Sequence, residues 1–157
     1  MNEEKMKCRG DVQAILEHRG GEKEIIEFRN TILQTGREAL ALSLANMIGD
    51  DFDFFINRMI FGDGGTTGGV PKMVSADRNG LFGAARVNKP VVANIDAATG
   101  TQVIFTSVVA FDEGNGYDLN EMALVMQNGD LYSMATFPGI SKTPQTQITF
   151  NWRLSFI

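Results

Sequence analysis

The alternation of apolar and polar positions is clearest at the C-terminal end of the chain. In QTQITFNWRLSFI, Ile148, Phe150, Trp152, Leu154 and Phe156 alternate with Thr149, Asn151, Arg153 and Ser155. A period of two over this length predicts a strand with one buried and one polar face. It places Trp152 on the buried face, as a core residue rather than a sugar-stacking platform. The other end shows the same period. Val12, Ala14 and Leu16 share one face of DVQAILEHR, and Ile26 and Phe28 share one face of KEIIEFR. Gly20-Gly21 between the two runs predicts a hairpin. Residues 1–10 are polar and read as a flexible arm.

One segment follows a helical period. TGREALALSLANMIG carries Thr35 and, three residues on, Glu38, the spacing of a capping box. Leu40, Leu44, Met47 and Ile48 form an apolar stripe, and Gly49 is placed to end a helix over about 36–48. The pattern then returns to β. FDFFINRMIF, residues 52–61, reads as a strand. Further strands are expected at about 86–95, 101–111, 119–127 and 130–136, with Asn128-Gly129 as a two-residue hairpin turn. Seven or eight strands joined by hairpin-type turns, plus one amphipathic helix, predict a mainly β, single-domain antiparallel β-sandwich over 1–157.

Between the strands at 52–61 and 86–95 lies GDGGTTGGVPKMVSADRNGLFG, residues 62–83. A loop of this length is uncommon and often contacts a partner. Its glycines do not follow a nucleotide-binding pattern: Thr67 stands where a dinucleotide fingerprint requires its third glycine, and no Gly-Lys-Ser/Thr occurs. The segment therefore reads as a long, flexible surface loop. Gly62, Asp63, Thr66, Thr67, Pro71 and Lys72 are its candidate interface residues. On this reading, deleting 63–79 leaves the fold intact and abolishes assembly.

Composition narrows the chemistry. The 157 residues carry a net charge of −5, one cysteine and one histidine. Cys8 alone forms no intramolecular disulfide, and with His18 it cannot build a Cys/His zinc site. His18 is also the only imidazole available to a nucleophilic triad, and it falls in a strand. The acidic balance disfavours nucleic acid as a partner. The first residues lack the apolar run of a signal peptide, and no stretch is long and apolar enough to span a membrane. Arg9-Gly10-Asp11 matches an adhesion tripeptide that is common by chance.

The acids are unevenly placed. No Lys or Arg occurs between Lys89 and Lys142, where Asp96, Asp112, Glu113, Asp118, Glu121 and Asp130 all lie. Oxygen-rich loops suit calcium, so Asp112, Asp118 and Glu121 are the weak metal candidates. The spacing is not that of an EF-hand, and a solvated acidic loop is the simpler reading. Asp50, Asp51 and Asp53 form a smaller cluster of the same kind. Paired carboxylates could serve a hydrolase, but nothing fixes two of them at a working separation. Catalytic residues, cofactor and metal are all expected to be absent.

Three stretches together resemble a structural module of tailed-bacteriophage virions: the hairpin with Asn30 and the capped helix, the loop opening FGDGGTTGG, and the segment from Asp118 to the last residue. The residues carrying the resemblance are Asn120, Glu121, Ala123, Leu124, Leu131, Tyr132, Thr136, Phe137, Pro138, Ile140, Lys142, Thr143 and Trp152. Such modules occur in tail-fibre, baseplate, collar and head-decoration proteins. The resemblance implies a non-enzymatic virion subunit, assembled in the bacterial cytoplasm and present in several symmetric copies. Its implied partners are other virion structural proteins and further copies of itself. Capsid decoration, or a small receptor- or glycan-binding sandwich, are the alternatives.

Overall fold

A computed structural model describes residues 5–45 and 54–157. The chain is an antiparallel β-sandwich of two five-stranded sheets, with a small third hairpin. The first sheet, in the order β2-β1-β12-β9-β8, comprises β2 (Lys23–Arg29), β1 (Cys8–His18), β12 (Thr146–Phe156), β9 (Gln102–Val109) and β8 (Val92–Ile95). The second runs β3-β11-β10-β4-β7, with β3 (Thr31–Ile32), β11 (Leu131–Ser141), β10 (Asp118–Met126), β4 (Ile56–Gly62) and β7 (Ala85–Pro90).

The inner faces meet as the alternation predicts. Val12, Ala14, Leu16, Ile148, Phe150, Trp152 and Leu154 of the first sheet pack against Met59, Phe61, Met122, Leu124, Met126 and Phe137 of the second. Phe28 stacks on Phe137 with ring centroids 4.5 Å apart, and Phe61 lies 4.6 Å from Phe150. These two aromatic contacts bridge the layers. β1 and β12 pair along their whole length, from Cys8 opposite Phe156 to His18 opposite Thr146.

Several expectations need correction. The polar arm is shorter than expected: β1 begins at Cys8, and Lys7 exchanges main-chain hydrogen bonds with Ile157. The run at 86–95 is two strands. It leaves the second sheet at Pro90 and joins the first at Val92, a change of sheet that apolar periodicity does not register. The expected count of strands was low for that reason, and because β3, β5 (Thr66–Thr67) and β6 (Val70–Pro71) have two residues each. The strand expected to end at 136 continues through Pro138 and Gly139 to Ser141. The register slips there, because Leu119 faces Ile140 whereas Glu121 faces Thr136.

The helix, α1 (Gln34–Leu44), also differs from its sequence signature. The residue at its N-cap is Leu33, fully buried, and no side chain caps the helix. Thr35 lies within the first turn and donates its hydroxyl to the Leu131 carbonyl of β11 instead of capping. Glu38 accepts a hydrogen bond from Gln34. The helix meets the sheet through Gly36 and Ala39, not through the leucine stripe. A Cβ at Gly36 would stand 2.3 Å from the Tyr132 carbonyl oxygen, so glycine lets the two backbones touch. Leu40 is only partly covered and Leu44 is 79% exposed. Met47, Ile48 and Gly49, the acids Asp50, Asp51 and Asp53, and the start of the expected 52–61 strand lie outside the described residues.

Candidate functional site

The segment expected to be a flexible loop is a fastened structure. Residues 62–83 lie over the outer face of the second sheet, where they cover a second apolar cluster, whereas Ala39 of α1 packs into the main core. Leu33, Ala123, Val125, Leu131 and Met134 form the second cluster, with Ile60, Val74, Leu81 and Phe82 packed against it. β10 is therefore buried on both faces from Leu119 to Met126. This explains why ALVM in that strand shows a continuous apolar run rather than alternation.

Two polar residues of β10 fasten the segment. Glu121 has no solvent exposure. Its Oε1 accepts the N–H groups of Gly64 at 3.0 Å and Gly83 at 2.9 Å, and its Oε2 accepts that of Phe82 at 2.7 Å. A buried carboxylate is tolerable only with such donors, so one side chain ties the two ends of the segment together. Asn120, 2% exposed, accepts the Gly65 N–H at 2.7 Å. Its amide nitrogen donates to the Asp63 carbonyl and the Thr66 hydroxyl. Farther along, Thr136 donates to the Lys72 carbonyl at 2.6 Å, and the Gln34 N–H donates to Ala76 at 2.7 Å.

The glycines follow from this geometry. A Cβ on Gly64 would stand 2.4 Å from the Gly83 nitrogen, so the two ends of the segment could not close. Gly68 and Gly69 both have positive φ and form the two-residue turn joining β5 to β6. Of the expected interface residues, Gly62 is buried against Glu121, while Asp63 is ion-paired with Arg86 at 3.1 Å. Thr66 is bonded to Asn120, and Lys72 stands 4.9 Å from the Phe82 ring, which Arg78 covers at 3.6 Å. Thr67 and Pro71 are exposed at the hairpin. Beside them Val70 is 66% and Met73 95% exposed. These two apolar residues were not singled out by sequence. Their only signal was position beside a glycine pair. Deletion of 63–79 would remove the partners of Asn120 and one of the three donors to Glu121, leaving Phe82 and Gly83.

The weak metal candidates do not converge. Glu121 is committed to backbone donors beneath the 62–83 segment, Asp118 is bonded by Ser141 at 3.4 Å, and Asp112 is exposed. No group of three His, Cys, Asp or Glu side chains is arranged to hold a metal ion among the described residues. The acidic stretch contains internal pairs instead. Glu113 accepts two hydrogen bonds from Lys89 Nζ, at 2.7 and 2.8 Å, which hold its carboxyl below the usual range. Lys142 is 1% exposed and donates to Asn115 Oδ1 at 2.9 Å and the Thr143 carbonyl at 3.1 Å. Its burial lowers its pKa.

The remaining singled-out residues have structural roles. His18 Nδ1 is 3.0 Å from the Thr146 hydroxyl, across the β1–β12 pair. Cys8 is half-buried against Tyr132, and burial pushes its thiol up, away from the reactive thiolate. Arg9 and Asp11 pair with each other on β1 rather than presenting a loop. Trp152 is fully buried.

By contrast, none of the described residues covers the outer face of the first sheet. Register places Arg29, Asp11, Arg153, Ile104 and Asn94 in one row across it, with Gln13, Asn151 and Thr106 in the next. Thr106 donates to Asn151 at 2.9 Å, and these residues line an open depression of about 710 Å³. No helix among the described residues is long and apolar enough to cross a membrane. No protein-family model, curated protein or solved structure matches the chain.

Proposed function

We propose that this chain is a non-enzymatic structural subunit of a tailed-bacteriophage virion, a multi-copy tail, baseplate or collar component acting through protein–protein contacts. The observation that carries the contact role is the 62–83 segment. Its base is fixed by Asn120 and Glu121, while Val70 and Met73 stand bare at its hairpin. Apolar residues on a rigid support lose little conformational freedom on binding, so their burial goes largely into affinity. The virion setting rests on the sequence resemblance described above. Decoration of the capsid is a variant that differs only in location.

The test is a phage in which Val70 and Met73 are both replaced by Ser. The purified variant is expected to melt with the wild type, because both side chains are already in water. It is expected to be missing from assembled particles. Normal incorporation at an unchanged melting temperature would overturn the role of the hairpin.

A second reading, a glycan-binding sandwich, is favoured by the uncovered face of the first sheet. Its Gln13, Asn151, Arg29 and Arg153 side chains suit sugar hydroxyls and carboxylates. Calorimetric titration with neutral and acidic bacterial surface glycans separates the readings: heat abolished by Asn151→Ala supports this one, and no heat removes it.

A further inference from the structure

The two sheets have four edge strands, and three are blocked against pairing with another chain. β2 carries Lys23, Glu24, Glu27 and Arg29. β3 has two residues, and Val74 and Ala76 run beside it, the first accepting from the Thr31 hydroxyl and the second from the Gln34 N–H. β7 carries Arg86 and Lys89 and ends in Pro90. Charge, brevity, cover and proline are the usual ways of protecting an edge. Among the described residues β8, four residues long, has neither charge, cover nor proline. Val92-Ala93-Asn94-Ile95 is uncharged, and all four residues are exposed, Val92 at 64% and Ile95 at 66%.

The hydrogen-bond phase shows which groups are open. The Asp96 N–H donates to Gln102 of β9, so in the antiparallel ladder Asn94 and Val92 also face β9 with their main chains. Ala93 and Ile95 therefore turn their N–H and C=O groups away from the sheet. Val91, on the same side, is already bonded to the Asn57 carbonyl of β4. The open donors begin just beyond the point where the second sheet stops supplying acceptors.

We propose that β8 pairs with β8 of a second copy of this chain, antiparallel across a two-fold axis at Asn94. In that register Ala93 faces Ile95 of the partner and Ile95 faces Ala93, so all four open main-chain groups on each strand find partners. Asn94 meets its own symmetry mate. An amide donates and accepts at once and is complementary to itself, whereas a charge at this position would repel its copy. The lack of charge along β8 selects a like strand over an acidic or basic one. The result is one continuous ten-stranded sheet with β8 at its centre. The contact is small, well below the extent of a stable dimer interface, so the pairing is weak in solution and gains strength where copies are held close together.

This deepens the multi-copy part of the function proposed above and rests on it only for its use in a particle. The experiments use purified protein, so their failure leaves the role of Val70 and Met73 standing, and failure of that role leaves the pairing standing. Sedimentation equilibrium at concentrations up to about 1 mM is expected to show a monomer–dimer equilibrium. Ala93→Pro removes an open donor without breaking the β8–β9 ladder, and Asn94→Asp sets two carboxylates on the axis. Both variants are expected to stay monomeric at an unchanged melting temperature. A wild type that is monomeric throughout, or dimers that persist in both variants, would overturn the proposal.

A trapping experiment gives an answer even if the variants fold poorly. Directly opposed residues of a non-hydrogen-bonded antiparallel pair have Cα atoms about 4.5 Å apart, within disulfide reach. In a Cys8→Ser background, Asn94→Cys is expected to form a disulfide dimer about tenfold faster than Val92→Cys, whose exposure is similar but whose symmetry mate is out of reach. Equal rates overturn the two-fold register.

Discussion

The two outer faces of this sandwich receive opposite treatment. The first sheet turns a polar, uncovered surface to solvent, and β12 alternates accordingly, with Trp152 and Phe150 inside and Asn151 and Arg153 outside. The second sheet is roofed by residues 62–83, and β10 is buried on both sides. The roof is not held by apolar contact alone. It is bolted by a carboxylate and an amide that have no water to turn to. One face can therefore change sequence at little cost, whereas the other depends on two polar residues for its registration.

That contrast can be broken at its strongest point. Glu121→Ala strips the acceptor from three backbone N–H groups in a covered site, and we expect a loss of about 3–5 kcal/mol in urea unfolding. The same variant is expected to open the roof before global unfolding, so trypsin should cleave at Lys72 and Arg78 under conditions in which the wild type is resistant. Resistance equal to wild type would show that Glu121 is not what fastens the segment. A smaller effect is expected from Thr136→Val, which leaves the Lys72 carbonyl without its donor and costs about 1 kcal/mol.

A third test uses a second buried charge, Lys142, which directly follows β11. Burial lowers the pKa of Lys142 relative to the unfolded chain, so the unfolded state holds this proton more tightly. The cost of burying the ammonium is present in full below the folded-state pKa and declines as pH rises toward the ordinary lysine value. As pH rises toward the ordinary lysine value, the wild type should gain stability relative to Lys142→Met, read as the difference between their urea midpoints. A constant difference would refute the assignment. The smallest effect is expected on the open face, where Asn151→Ala should stay within about 0.5 kcal/mol.

The same contrast decides what was legible in the sequence. β1, β2 and β12 each have one wet and one dry face, and their alternation gives strand, face and hairpin directly. β10 was legible as a strand, yet nothing in NEMALVM says that both its faces are covered, because the covering segment is polar, glycine-rich and distant in sequence. For the same reason Glu121 read as one member of an acidic loop. Its true neighbours, Gly64, Phe82 and Gly83, are brought to it only by tertiary structure. Thr35 and Glu38 had the spacing of a capping box, but Leu33 and the Leu131 carbonyl offered the helix start a better arrangement. Short-range pattern is informative where solvent sits on one side. It is silent where one part of the protein serves as the solvent of another.

The pairing of β1 with β12 sets the timing of folding. These strands occupy the interior of the first sheet, yet His18 and Thr146 are 128 positions apart. During synthesis β1 emerges well before β12 and waits for this partner until β12 has left the ribosome. That separation makes closure of the central seam a late and slow step relative to the local hairpins. Until then β1 presents one unpaired flank, and the local β1–β2 and β8–β9 pairs are the pieces of that sheet able to form early.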